Sequence, residues 1–110
     1  MSSEPIMHED LKRVLSDWDA GKPIRALRLG HAGQNVRQSV VYAHAFRMLR
    51  DWLADGAKFK DAARKEDRAE ELTKAEHEAA HSLAFVAYKF GWSHAISNFS
   101  EDKYITVQKP

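Results

Sequence analysis

The chain has no cysteine, so disulfides and thiolate metal ligands are excluded and a reducing compartment is open to it. It has only five glycines and three prolines in 110 residues, too few for long structureless linkers. No run of residues approaches the apolar length that a bilayer span requires. The opening MSSEPIMHEDLKR holds no continuous apolar stretch and carries three acids, so it is not expected to be a secretory signal. The expectation is a cytoplasmic protein with no membrane contact. Acids are absent from one long stretch. Between Lys22 and Arg50 there are six bases, Lys22, Arg25, Arg28, Arg37, Arg47 and Arg50, and no Asp or Glu. Asp51 to Glu78 then carries nine acids against six bases. A net charge of +1 thus conceals a basic half and a mixed, slightly acidic one.

Several chemistries lack their signatures. No nucleophile motif appears. The Gly30–Asn35 segment, GHAGQN, reads as a loop, and it lacks the Gly-Lys-Ser/Thr ending of a phosphate-binding loop. No helix-turn-helix, zinc-finger or RNA-binding aromatic signature is present.

What is present is the composition of one globular domain spanning residues 1–110, at 44% hydrophobic and 30% charged. Pro5 to Asp19 is predicted as a first helix. Leu11, Val14, Leu15 and Trp18 recur at i, i+3, i+4, i+7, and Gly21 and Pro23 end it. Pro23 to Leu29 reads as a short strand that pairs with the alternating Lys103–Gln108 tail. Asn35 to Ala54 is a second helix, apolar through Val41, Ala45, Met48, Leu49, Trp52 and Leu53 and basic on the other side. Lys58 to Glu71 is a solvated third helix with Phe59 as its one large apolar residue.

Thr73 to Asn98 is predicted as one long helix, started by a capping box with Thr73 as N-cap and Glu76 reaching back. One apolar face carries Ala79, Leu83, Val86 and Phe90, and a second carries Phe85, Tyr88 and Trp92. A helix apolar on two sides is expected to be central, with Gly91 inside it. The fold class is therefore mainly α: a single-domain bundle of about four helices with a short two-stranded β element.

The only chemical motif lies at the start of that helix. His77-Glu78-Ala79-Ala80-His81 has the H-E-x-x-H spacing, which puts two imidazoles one turn apart and a carboxylate about 100° round the helix. Sixteen residues, HEAAHSLAFVAYKFGW, resemble the HEAGHA-type helix of membrane-associated and ATP-dependent zinc proteases. That resemblance implies zinc held by His77 and His81, with Glu78 as general base on a metal-bound water. A third ligand would have to come from His31, His44, His94, Glu101 or Asp102, because the metzincin position six residues after His81 is Ala87. The competing expectation is that both imidazoles pack beside Tyr88 or a neighbouring helix and that no cofactor is bound.

The second signal is the basic stretch. Arg25, Arg28, Arg37, Arg47 and Arg50 are expected to form a binding surface for an acidic protein or for nucleic-acid phosphates. Three Trp and five Phe suggest a core that continues into a homodimer or partner interface. The reading adopted is a small non-catalytic binding or regulatory protein, with an HExxH zinc hydrolase as the alternative.

Overall fold

The computed structural model describes residues 8–29, 36–55, 72–98 and 104–109. Its elements, in chain order, are α1 (Glu9–Asp19), β1 (Ile24–Leu27), α2 (Gln38–Asp55), α3 (Lys74–Phe90), α4 (Trp92–Asn98) and β2 (Tyr104–Val107). The mainly α architecture with a two-stranded antiparallel element is the one expected. Among the described residues, no helix is long and apolar enough to cross a membrane. The predicted third helix at 58–71, the loop at 30–35 and Pro5 lie outside the described residues.

α1 buries the predicted stripe of Leu11, Val14, Leu15 and Trp18. It ends in a Schellman turn: Gly21 N–H donates to Trp18 O and Lys22 N–H to Asp17 O, both at 3.0 Å, with Gly21 at φ 77°. Pro23 then carries the chain into β1. Ile24 pairs with Val107 and Leu27 with Tyr104, so the predicted strands meet, over shorter spans. Strict alternation fails in β1, where Ile24, Ala26 and Leu27 are all buried and only Arg25 is exposed. A ribbon of two strands is marginal alone, and α2 supports it from behind. The Gln38 side chain accepts from Leu29 N–H at 2.7 Å and donates to Leu29 O at 2.5 Å, an amide standing in for a strand neighbour.

The Tyr42 hydroxyl donates to Leu27 O at 2.7 Å, and burial pushes its phenol pKa up, against that hydrogen bond. Tyr42→Phe leaves the carbonyl without its donor in the core and is expected to cost about 1–2 kcal/mol, read as a lower urea midpoint. An unchanged midpoint would show that the bond contributes nothing net.

The centre of the core is aromatic. Phe46 of α2 lies 4.9 Å, ring to ring, from both Trp18 of α1 and Trp92 of α4, and Tyr42 lies 5.6 Å from Trp92. One residue from each of three helices therefore meets at Phe46, within the spacing that aromatic pairs prefer. α3 packs chiefly on α2 and buries Leu83 together with Ala80, Ala84 and Ala87, three small residues that let the backbones approach.

Two boundaries differ from expectation. The second helix begins at Gln38 rather than near Asn35, because Arg37 stands at its entry with its backbone N–H taken by a carboxylate from α3. The single helix predicted from Thr73 to Asn98 is broken at Gly91, which adopts φ 101°, ψ 161°. After the break α4 is held by α1, since Ser93 N–H donates to the Asp10 carboxylate at 2.6 Å. Burial would raise the Asp10 pKa, but hydrogen bonds from Ser93 and Leu11 and the nearby His8 outweigh it and hold the carboxyl below its usual range. The break also corrects the two-sided burial expected of this helix. Trp92 reaches the core from α4, whereas Phe85 on α3 is exposed.

Candidate functional site

The capping box forms as the T-x-x-E pattern implies: Glu76 N–H donates to Thr73 Oγ1 at 3.1 Å and Thr73 N–H to Glu76 Oε1 at 3.0 Å. The same carboxylate does more. Arg37 donates to it through its backbone N–H at 2.7 Å, Nε at 2.9 Å and Nη2 at 2.9 Å. One Glu76 side chain, 1% exposed, thus joins the N-termini of α2 and α3, where both helix dipoles favour a negative charge. The Arg37 side-chain bonds, set against desolvation and helped by the two backbone donors, bring its pKa down from 4.5 to about 2.

His77, Glu78 and His81 follow directly after Glu76 in α3, and all three are exposed. Each imidazole has a ring of α2 beside it. His77 lies 5.7 Å from the buried His44, and His81 meets Trp52 edge-on at 5.7 Å, with Tyr88 against the same indole at 6.0 Å. The two histidines therefore stand along the rim of the α2–α3 seam. Among the described residues, no group of three or more His, Asp or Glu is placed to hold a metal ion. His94 stands on α4 against Phe90 at 5.1 Å, and His31, Glu101 and Asp102 lie outside the described residues.

The five arginines divide by environment. Arg37 is committed to Glu76, although its side chain remains 52% exposed. Arg50 of α2 pairs with Asp19 at the end of α1, and Arg47 is half-buried. Arg25 and Arg28 project from the ribbon into solvent. In the antiparallel register Arg25 faces Thr106, and Tyr104 is its diagonal neighbour. The guanidinium lies 4.1 Å from the centre of the Tyr104 ring, which is itself 62% exposed. Tyr104 is the residue that sequence reasoning missed. The signal was available in the pairing of the two strands, since outward positions two apart across an antiparallel ribbon are within reach of long side chains.

No protein-family model, curated protein or solved structure matches this chain, so its functional reading rests on these side chains.

Proposed function

We propose that this is a small non-catalytic binding or regulatory protein that recognises an acidic protein segment through its basic surface. The observation that carries the reading is the exposed Arg25–Tyr104 pair, with Arg28 exposed just past the end of β1. An aromatic ring that holds a guanidinium in place while both face water is an unusual use of a large apolar side chain on a free surface. Arg and Tyr are the residues over-represented at interface hot spots, where a stacked guanidinium presents its remaining donors to a carboxylate. Arg37 at the entry to α2, and Arg47 and Arg50 on it, are assigned to the same surface, with the first and last also serving Glu76 and Asp19. A protein partner fits better than nucleic acid because the isoelectric point, about 8.1, is below that of typical nucleic-acid-binding domains.

Fluorescence anisotropy with a labelled Asp/Glu-rich peptide, and separately with single-stranded and duplex oligonucleotides, tests this. Binding of the peptide is expected to weaken about tenfold in Arg25→Ala and in Tyr104→Ala. Oligonucleotide binding that falls steeply with salt, without peptide binding, would transfer the surface to nucleic acid. Binding of neither class would overturn the proposal.

A further inference from the structure

The ribbon of β1 and β2 has two edges, and they differ. On the β1 side the chain's own side chains are in place: Tyr42 donates to Leu27 O, and the Gln38 amide accepts from Leu29 N–H and donates to Leu29 O. On the β2 side, among the described residues, the backbone of Tyr104–Val107 makes no hydrogen bond besides those to β1. Alternate N–H and C=O groups of an outer strand point away from its neighbour, so this edge presents backbone donors and acceptors to a further strand. Native proteins blunt such edges with charges, proline or short length. Tyr104-Ile105-Thr106-Val107 has neither charge nor proline, and all four residue types favour strands. Its one protection is that it is short.

The charge and the two faces of the ribbon define what a third strand needs. Arg25, Tyr104 and Thr106 are exposed. Ile24, Ala26 and Val107 are buried, with Ile105 partly buried against the same core. The Arg25 guanidinium reaches from β1 to within 4.1 Å of the Tyr104 ring centre. A charge that begins on β1 thus stands over β2, one strand spacing, about 4.8 Å, from the open position. Lys22, Arg25, Arg28 and Lys109 are exposed around the ribbon, and 22–29 and 104–110 contain no acid. We infer that an acidic segment of a partner protein binds here in extended form, as a third strand on the outer edge of β2. Its carboxylates lie on the face of Arg25 and Tyr104, and its intervening residues are apolar. The inference rests on the reading of this surface as a site for acidic protein and adds how the segment is held. Main-chain bonds to β2 supply affinity, and Arg25 selects the charge. Two-fold pairing with β2 of a second copy is disfavoured, because it brings Arg25 and Lys109 of one chain toward those of the other.

Fluorescence anisotropy of the full chain with a labelled peptide of alternating Glu and Val, and with two backbone-methylated forms of it, tests the inference. Methylation removes an N–H without changing a side chain or a charge. In a strand only every second N–H faces its neighbour. Methylating one alternate set is therefore expected to weaken binding about tenfold or more, and methylating the other to leave it within about twofold. Amide hydrogen exchange should slow at alternate residues of Tyr104–Val107 when the unmethylated peptide is bound. Peptide binding with equal losses from the two sets, or with unchanged exchange in β2, would overturn the third strand and leave the acidic-protein reading standing. No binding of the unmethylated peptide would overturn both. Exchange at this edge that slows with protein concentration alone would give it to a second copy and also overturn the inference.

Discussion

Glu76→Ala is expected to lower the unfolding free energy by about 3 kcal/mol at neutral pH. The variant removes the acceptor for Thr73 N–H and for the Arg37 backbone and side-chain donors at once. Two helix N-termini lose their cap, and the α2–α3 junction loses its ion pair. The figure is set at the lower end of the range for broken buried pairs because the Arg37 side chain is half in water and can be rehydrated. A carboxyl pKa brought from 4.5 down to about 2 corresponds to a similar energy, about 3 kcal/mol. The pH dependence has a definite sign. The folded-state carboxyl ionises more readily than that of the unfolded chain, so folding favours the charged form. Its stabilisation is complete above the ordinary value of 4.5 and is lost as pH falls toward 2. Urea unfolding of the parent and of Glu76→Ala across that interval should show their difference shrinking toward the acid end. Glu76→Gln, which keeps the volume and loses the charge, should follow the alanine variant in its pH profile. A difference under about 1 kcal/mol at pH 7, or one that stays constant into acid, would rule out this role for the carboxylate.

Gly91→Ala is expected to cost about 3 kcal/mol, from two sources that add. At φ 101°, ψ 161° the backbone occupies a region essentially confined to glycine, and an L-residue there carries about 1–3 kcal/mol of strain. An added Cβ would also stand 3.2 Å from Asp10 Oδ1 and 3.4 Å from Asp10 Oδ2 and His8 Cγ, displacing the carboxylate that receives Ser93 N–H. Loss of that cap accounts for about 1 kcal/mol more. If the chain instead straightens through position 91, α3 and α4 fuse into the continuous helix that the sequence pattern implies. Trp92 then leaves the contact with Phe46, and the cost appears as a cavity at the aromatic centre. Thermal unfolding of Gly91→Ala, Asp10→Ala and the double variant separates the two sources. The single effects should fall short of adding, because both act through the Asp10–Ser93 contact. A Gly91→Ala variant as stable as the parent would show that the break imposes no strain.

These two positions also mark where local reading stops. The capping box was legible because Thr73 and Glu76 are three residues apart, and all its atoms belong to one turn. Its second use was not legible, since Arg37 is 39 residues away and nothing near it in sequence marks it as the partner of a buried acid. By charge pattern alone Arg37 belongs with the basic surface. Gly91 had the same difficulty in another form. A single glycine within an apolar periodic stretch is compatible with a continuing helix at a cost of about 1 kcal/mol. What breaks the helix there is Asp10, brought from the other end of the chain. The HEAAH spacing was equally plain, and it correctly places two imidazoles one turn apart on α3. Which α2 rings stand beside them, His44 and Trp52, is decided by the packing of the two helices.

The sequence by itself determined the elements: the α1 stripe and its Gly21 stop, the start of α3, the two strands that pair, and the apolar face of α2. These depend on interactions within a few residues and on a periodicity that burial must satisfy. Tertiary structure alone decided that one carboxylate serves two helices, that the last helix is two, and that Arg25 rests on Tyr104 while Arg37 and Arg50 hold acids. The physical reason is common to all three. A charged side chain has many possible partners along a chain, and the choice among them is made by which backbones the apolar core draws together.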